Sequence, residues 1–274
     1  MVKYFFGLFL IISINCFCQD ASSLFEEGSK KFIEGNYKES KEIFSEAILV
    51  AEKEFGSNSE TYAVYLSYYA NALFRCNEYK LAEDFYLKSA EISYKYINDS
   101  PETFIYTISN LASVYVEIGR YSEAEINFKK ALSLLDENHN AYRQIKNSLI
   151  VLYQKMNKQS VADSLLSSLE NVTGLRGFEL ANHYNIKAIN EYNKGNLLLS
   201  TQYLKEALIV FEKEVGTSHP FYSDLLNNIA TIFQENGQYK KAEEYYLKAV
   251  ELKKNENNYS LSFFIALTNL AKFY

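Results

Sequence analysis

The sequence contains few of the residues that interrupt helices or cross-link a chain. Among 274 residues there are 2 Pro, 10 Gly and 3 Cys, and there is no Trp. Scarce Pro and Gly argue against a turn-rich β fold and favour helices. Because Cys16 and Cys18 fall in an N-terminal stretch that we expect to be removed, Cys76 remains alone and has no partner for an internal disulfide. We interpret Cys76 as a small packing residue, so the core alone must hold the fold.

An excess of positive charge is also missing. The chain has 28 Lys and Arg against 34 Asp and Glu, a formal charge of −6. Proteins that bind nucleic acid need basic residues clustered on one face, so the sequence predicts no nucleic-acid partner. Hydrophobic residues make up 48% of the chain, which is enough for a large core.

Motifs for catalysis and for metal binding are missing from the sequence as well. The three histidines, His139, His183 and His219, are far apart, and there is no His-Glu-x-x-His motif or cysteine pair. Glycine-rich phosphate loops and the nucleophile motif Gly-x-Ser-x-Gly are also missing. We therefore expect no metal, no cofactor and no catalytic site, and we interpret this segment as non-enzymatic.

Residues 1–19 differ from the rest of the chain. Lys3 precedes an apolar run at residues 4–14, and polar residues follow. This order is typical of a secretory signal peptide, and the run is shorter than the ~20 residues that cross a bilayer. We expect cleavage near residue 18 or 19; lipid attachment at Cys16 or Cys18 and an uncleaved N-terminal anchor are the alternatives. The sequence thus predicts export to the periplasm, the outer surface or the medium.

The clearest pattern in the chain is a helix–turn–helix unit that occurs twice almost unchanged. Residues 110–131 read NLASVYVEIGRYSEAEINFKKA, and residues 228–249 read NIATIFQENGQYKKAEEYYLKA. In the first copy, Leu111, Ala112 and Tyr115 share one helical face before Gly119. Repetition of such a unit is typical of a solenoid, in which each unit packs only on its neighbours.

Weaker copies of this unit fill an array over residues 20–260, and the fourth copy is the most degenerate. The turn residues are at positions 35, 77, 119, 157, 195 and 237, with steps of 42, 42, 38, 38 and 42 residues. Each is Gly or Asn, the two residues that best tolerate a left-handed backbone. The sequence therefore predicts six helical hairpins, at residues 22–56, 60–98, 101–138, 141–173, 178–216 and 220–258.

Small and aromatic residues recur at fixed positions in these hairpins. We interpret the alanines as points where two helices cross so closely that only a β-carbon fits. We expect four aromatic residues to fill the space towards the next repeat: Phe44, Tyr86, Phe128 and Tyr246. The residues that define the repeat are Gly35, Tyr37, Ala82, Gly119, Tyr121, Ala124, Ala131, Gly195, Ala207, Gly237, Tyr239, Ala242 and Ala249.

This pattern resembles tetratricopeptide repeats over nearly all of the chain after residue 19. The 42-residue step, longer than the usual ~34, and the strings SPETFIYTISNLA and HPFYSDLLNNIA resemble the kinesin-light-chain-like subgroup, in an exported bacterial form. The resemblance implies an all-α fold, a right-handed α-solenoid of stacked antiparallel helix pairs whose second helices are lengthened. It also implies a non-catalytic scaffold that binds a protein or an extended peptide. The Trp that the family usually carries in the first helix is missing.

Residues 261–274 match the first helix of a seventh repeat, and the sequence ends there on apolar residues. A solenoid normally ends in a helix with a polar outer face, so we infer that the sequence is the N-terminal part of a longer protein. This inference supports a second hypothesis, a sensory or regulatory arm of a larger enzyme. Similar repeat proteins continue into a caspase-like CHAT protease, a histidine kinase or a transcriptional regulator. A membrane would be involved only through an uncleaved signal or a missing downstream segment.

The first helices are expected to line the concave side of the array. Asn110, Asn228 and Asn269 hold equivalent positions, and in similar proteins such asparagines bind the backbone of an extended peptide. The alternative is that they cap or pair locally within the hairpins. No Lys/Arg/Asn clamp for a C-terminal carboxylate is evident. The predicted groove residues are Asn71, Tyr106, Asn110, Ser113, Asn185, Tyr192, Asn227, Asn228, Thr231 and Asn269, with Ser67, Ser109 and Asp224 beside them.

Overall fold

The computed structural model describes residues 20–137, 139–170, 175–255 and 261–273. The predicted signal peptide lies outside these residues. Within the described ranges the regular structure is helical and no strand occurs. None of the described helices is both long enough and apolar enough to cross a membrane.

Thirteen α-helices follow one another in the described ranges. They are α1 (Ala21–Ile33), α2 (Tyr37–Phe55), α3 (Glu60–Arg75), α4 (Tyr79–Tyr94), α5 (Glu102–Glu117), α6 (Tyr121–Ser133), α7 (Asn140–Lys155), α8 (Gln159–Glu170), α9 (Gly177–Asn193), α10 (Leu197–Val210), α11 (Pro220–Glu235), α12 (Tyr239–Asn255) and α13 (Leu261–Phe273). A π-helical turn, Phe211–Val215, extends α10.

Consecutive helices pack as hairpins, and each hairpin packs on the next. Helices α1 and α2 form the first hairpin and α11 and α12 the sixth, while α13 packs on α12. The second helix of each hairpin also contacts the first helix of the following one. The predicted solenoid of stacked helix pairs is confirmed.

Polar side chains fix where several helices begin. Asp20 accepts a hydrogen bond from the backbone N–H of Ser23 at 2.7 Å, and the Ser59 hydroxyl accepts one from Tyr62 at 3.1 Å. The side chain of His219 has the same role at the start of α11, where its Nδ1 accepts from the N–H of Phe221 at 3.2 Å. These contacts satisfy backbone donors that have no partner inside the helix.

Each hairpin turns at a residue with positive φ, at the six positions read from the sequence. The angles are 82° at Gly35, 63° at Asn77, 80° at Gly119, 56° at Asn157, 82° at Gly195 and 69° at Gly237. At the third turn, the N–H of Arg120 donates to the carbonyl of Tyr115 at 2.8 Å, and that of Gly119 donates to Val116 at 3.3 Å. This pair of bonds is a Schellman motif, which ends a helix and redirects the chain within two residues.

Small and aromatic residues alternate in the core of the hairpins. The helix-crossing alanines, such as Ala82, Ala124 and Ala242, are fully buried, and so are the rings of Phe44 and Phe128. In the first repeat, Gly28 takes the small position, because a β-carbon there would lie 2.9 Å from the ring of Phe44. The close fit explains why these positions tolerate little added volume.

The lengthening expected of the second helices holds for only some repeats. Helix α2 has 19 residues and α12 has 17, but α4 has 16 and α6 has 13. In the second repeat, part of the added length lies in the turns between α4 and α5, where Ser100 N–H donates to Tyr96 at 2.8 Å. The prediction that the second helix takes up the extra residues was therefore too simple.

Candidate functional site

Contacts between first helices identify the inner side of the array. Helix α3 packs on α5, α5 on α7, α7 on α9 and α11 on α13. In the described ranges, no comparable contact joins the second helices of neighbouring repeats. Because the first helices approach one another more closely than the second helices do, they form the concave wall.

The environment of His219 disfavours the charged form of its imidazole. Burial lowers the pKa of His219, at the start of α11, and the positive charge of Arg75, at the end of α3, lowers it further. Asp224 acts in the opposite direction.

Asparagine side chains on the concave wall pair across neighbouring repeats. In each pair, the Nδ2 of one residue donates to the Oδ1 of the other: Asn110 to Asn71 at 3.0 Å, Asn228 to Asn185 at 3.1 Å and Asn269 to Asn227 at 3.2 Å. Six of the ten predicted groove residues are thus brought together. Local pairing within a hairpin occurs as well, since the Tyr86 hydroxyl also donates to Asn71.

Each pair leaves part of its hydrogen-bonding capacity unused. An amide side chain offers two N–H donors and an oxygen with two lone pairs. Asn110 and Asn228 each use one N–H, and within the described residues their Oδ1 atoms accept from no protein group. Both side chains are half-buried on the groove side. The donors and acceptors that remain suit an uncharged polar ligand such as a peptide bond.

Two hydroxyl groups and two tyrosines complete the predicted groove set. The Ser113 hydroxyl donates to Ser109 O at 3.2 Å, and that of Thr231 to Asn227 O at 3.1 Å, so both are partly satisfied by their own helices. Tyr106 is 44% exposed. The Tyr192 hydroxyl bonds to the carboxylate of Glu235, and burial together with this contact raises the pKa of Tyr192 to about 12.

Three further groove residues were missed by the sequence analysis. Tyr68 is 41% exposed and lies on α3, one turn before Asn71. Arg75, at the end of α3, lies on the same helical face as Tyr68 and Asn71. Asn147 on α7 lies ten residues before its turn residue, as Asn185 and Asn227 do before theirs. That shared spacing was the signal that could have identified Asn147.

An ion pair joins first helices of neighbouring repeats on the wall. Lys155 pairs with Glu117 of the preceding repeat at 3.0 Å, which neutralises both. Burial raises the pKa of the Cys76 thiol, so the thiolate is disfavoured. Among the described residues, no group of three or more His, Cys, Asp or Glu side chains is placed to hold a metal ion.

Comparison with known protein families agrees with this geometry. One tetratricopeptide repeat model matches residues 28–95 and 179–255, and a second matches residues 107–135. The chain belongs to the tetratricopeptide repeat family. Such repeats form helical hairpins that stack into a solenoid.

A curated tetratricopeptide relative shares part of the chain. Tetratricopeptide repeat protein 19, mitochondrial, of Danio rerio is 24% identical over 200 residues, which are 64% of this chain and 49% of that protein. The chain thus spans about half the length of this curated relative.

Solved structures share the fold at low identity. The apo form of RapI is 18% identical with TM-score 0.66, covering 85% of this chain and 83% of that one. The apo form of the quorum sensor NprR from B. thuringiensis is 13% identical with TM-score 0.64, and the match covers 93% of this chain and 70% of NprR. A putative kinesin light chain of Podosopora anserina is 14% identical with a lower TM-score of 0.45, and the match covers 86% of this chain and 96% of that one. The kinesin-light-chain-like resemblance continues to rest on the 42-residue spacing.

Proposed function

We propose that this tetratricopeptide array is a non-catalytic scaffold that binds a protein segment in extended conformation along its concave wall. The observation that carries the proposal is the row of asparagine pairs, which presents unused amide groups at the groove. A peptide backbone offers one N–H and one C=O per residue. Amide side chains complement both, whatever side chains the ligand carries.

The charge and the exposed rings of the wall support the same proposal. Because Lys155 and Glu117 neutralise each other, recognition along this part of the wall depends on hydrogen bonds and stacking. Tyr68 and Tyr106 offer exposed rings on neighbouring first helices. Tyrosine is enriched at protein interfaces because it combines a large apolar ring with a polar end.

A peptide array tests the proposal. We expect the full chain to bind a subset of immobilised random decapeptides, and the double variant Asn110→Ala/Asn228→Ala to bind the same peptides about 10-fold or more weakly. Each lost backbone hydrogen bond costs about 0.5–1.5 kcal/mol. Unchanged affinity in the double variant would refute the role of the asparagine row.

The matched control is Asn127→Ala. This amide lies on the second helix α6 and donates to its own helix, at Glu123 O, 2.9 Å away. We expect peptide affinity to be unchanged in this variant. Thermal unfolding of all three proteins separates lost binding from lost folding, since the asparagine pairs also link repeats.

Export and a sensory role are the finer parts of the proposal. Export is supported by the pattern of residues 1–19, and N-terminal sequencing of the protein from fractionated cells tests it; an intact Met1 in the cytosolic fraction would contradict it. A sensory arm is supported by the similarity to NprR, which is named a quorum sensor. Reading the gene beyond codon 274 decides whether a protease, kinase or regulator domain follows.

A further inference from the structure

Two of the three histidines cap helices at equivalent positions of different repeats. His139 precedes α7 and His219 precedes α11, and each lies eighteen residues before its turn residue. The Nδ1 of His139 accepts the backbone N–H of Ala141 at 3.1 Å, and the Nδ1 of His219 accepts that of Phe221 at 3.2 Å. In both, the carbonyl of the histidine accepts the following backbone N–H at 2.9 Å. The two first turns are thus built in the same way.

Only the unprotonated imidazole can form this cap. A neutral ring carries one proton, and when that proton is on Nε2 the lone pair of Nδ1 can accept a backbone N–H. In the imidazolium both nitrogens are donors, so Nδ1 would meet the backbone N–H as a second donor. The added positive charge would also lie at the positive end of the helix dipole. Protonation therefore removes the cap and leaves a backbone donor of the first turn without its partner.

The equivalent position of the second repeat carries a cap that does not titrate. Ser59 lies eighteen residues before Asn77, and its hydroxyl accepts the N–H of Tyr62 at 3.1 Å at the start of α3. A hydroxyl keeps its lone pairs throughout the pH range in which histidine gains its proton. Because serine can cap this repeat, the histidines of the fourth and sixth repeats add a pH dependence that the architecture does not require.

The surroundings of His219 favour its neutral form. Its ring contacts the ring of Phe178, with the centroids 5.3 Å apart, and that of Phe211, with the centroids 5.5 Å apart. Partial burial lowers the pKa of His219, and the positive charge of Arg75 lowers it further. Asp224, on α11 itself, opposes this shift. The net effect keeps the imidazole in the form that caps the helix.

The carboxylates of the neighbouring π-helical turn are bonded to groups other than the imidazole. Glu212 accepts the Tyr222 hydroxyl at 2.7 Å, and Glu214 accepts the backbone N–H of Gly177 at 2.7 Å. These contacts join the turn to the starts of α11 and α9. The start of α11 is therefore held by the cap and by its contacts with the fifth repeat.

Charged groups near the start of α7 have partners of their own as well. Glu137 accepts the Tyr142 hydroxyl at 3.5 Å. Arg143, one turn into α7, lies 3.9 Å from Glu179 of α9. Neither group supplies the cap, which depends on the imidazole of His139.

We propose that His139 and His219 form an acid-sensitive device, in which protonation of the imidazoles loosens the starts of α7 and α11. Both helices belong to the concave wall, and α11 carries Asn228, which pairs with Asn185 of the fifth repeat at 3.1 Å. The device acts on the wall itself and is independent of the peptide binding proposed above. Because the pKa of His219 lies below its ordinary value of 6.5, the stabilisation from this cap is complete above pH 6.5 and is lost as the pH falls through the folded value.

Thermal unfolding at about pH 8 and about pH 5 tests the device. The double variant His139→Ser/His219→Ser replaces both caps with the kind that Ser59 provides. We expect the melting temperature of the full chain to fall between the two pH values by about 4–8 °C more than that of the double variant, since each lost cap lowers it by about 2–4 °C in a chain of this size. His183 is present in both proteins, so its contribution cancels. Equal falls would overturn the inference.

The converse variant adds an imidazole cap to a repeat that lacks one. We expect Ser59→His to lose about 2–4 °C more than the full chain on the same change of pH. The matched control is Ser45→His, because the Ser45 hydroxyl donates to Glu42 O within α2 and caps no helix start. This control should show no added loss. A loss in neither variant, or the same loss in both, would count against a role for the cap.

Hydrogen exchange locates the loosening. At about pH 5, backbone amides at the starts of α7 and α11 should exchange faster in the full chain than in the double variant, whereas those at the start of α3 should exchange equally. Because both proteins are compared at one pH, the intrinsic pH dependence of exchange cancels. Equal exchange at α7 and α11, or a difference spread over all the described helices, would overturn the inference. No peptide is used, so the outcome is separate from that of the peptide array.

Discussion

Two junctions between repeats differ in how they satisfy their buried polar groups. Between the second and third repeats, Thr107 is fully buried and donates to the Ser67 hydroxyl at 3.2 Å. The Ser89 hydroxyl lies 3.2 Å from Thr107 and donates to the carbonyl of Ala63 at 2.7 Å. The apolar core runs through this junction without a break.

The junction between the fourth and fifth repeats is polar inside. Asn190 is only 2% exposed, accepts from Gln154 at 3.3 Å and donates to Asp163 at 2.5 Å. The Oδ1 of Asn147 and the Oε1 of Gln154 are buried and accept no hydrogen bond from any described residue. Two apolar clusters meet here, one reaching Ile186 and the other beginning at Ala181.

The missing partner of Asn147 has a simple origin. Asn185 and Asn227 each lie ten residues before their turn residue and pair with an asparagine of the next repeat. At the fifth repeat, the position equivalent to Asn228 is Ile186. An unsatisfied buried polar group costs about 1–3 kcal/mol. Because Ile186 stands where an asparagine would pair with Asn147, we expect the junction between the fourth and fifth repeats to be less stable than the junction between the second and third.

The largest expected difference between the junctions concerns their apolar cores. Tyr86 and Leu166 hold equivalent positions, nine residues after their turn residues. We expect Tyr86→Ala to lower the free energy of unfolding by about 3–5 kcal/mol and Leu166→Ala by about 2 kcal/mol, because a larger buried ring is removed and because the looser junction relaxes around the cavity. Urea unfolding followed by circular dichroism measures both. Equal losses would remove the contrast in packing.

Two substitutions in the asparagine row are expected to change the free energy of unfolding in opposite directions. We expect Asn147→Leu to raise the free energy of unfolding by about 1 kcal/mol, because it removes an unsatisfied amide. Asn185→Leu should lower it by about 1 kcal/mol, because Asn228 then loses its partner. The same urea experiment compares them. A destabilised Asn147→Leu protein would mean that a water or ligand satisfies this amide.

Local opening should follow the same contrast. We expect backbone amides of α8 and α9 to exchange with deuterium faster than those of α4 and α5, because less apolar surface holds the polar junction together. Hydrogen exchange followed by mass spectrometry resolves these helices. Similar protection in both pairs of helices would indicate that the polar contacts compensate.

The smallest expected effect is on the acid side of the stability profile. Burial would raise the pKa of Asp163, but hydrogen bonds from Asn190 and Lys194 outweigh it and lower the pKa. Its stabilisation is therefore fully present above the unfolded pKa near 3.8 and is lost as pH falls through the lower folded value. Asp163→Asn should flatten this part of the profile slightly. The control Asp84→Asn, whose partner Lys80 is exposed, should not.

The repeat architecture was predictable because its determinants are local. A residue such as Gly119 or Asn77 is needed wherever the backbone must turn with positive φ, and an alanine such as Ala124 wherever two helices cross. Both demands recur in every hairpin, so the spacing alone located the turns. No partner residue elsewhere in the chain is needed to recognise them.

The groove was only partly predictable because its contacts join different repeats. The sequence placed Asn110 and Asn228 on one face but did not show that they pair with Asn71 and Asn185, about 40 residues away. Arg75 was missed for the same reason, since its position depends on Tyr37 in the preceding repeat. Side-chain pairs of this kind depend on the angle between hairpins, which local patterns do not determine.

The turn motif at the end of each first helix also limits how such chains can change in length. A deletion of one whole period, such as the 42 residues from one turn to the next, would remove one hairpin. The two hairpins on either side of it would then meet through faces that already pack on equivalent hairpins. A deletion of a few residues within a helix would rotate the rest of that helix by about 100° per residue removed, so that its apolar face would no longer meet the neighbouring hairpin. Lineages of this protein are therefore expected to grow or shrink by complete hairpins, and the length of peptide they can hold should change in equal steps.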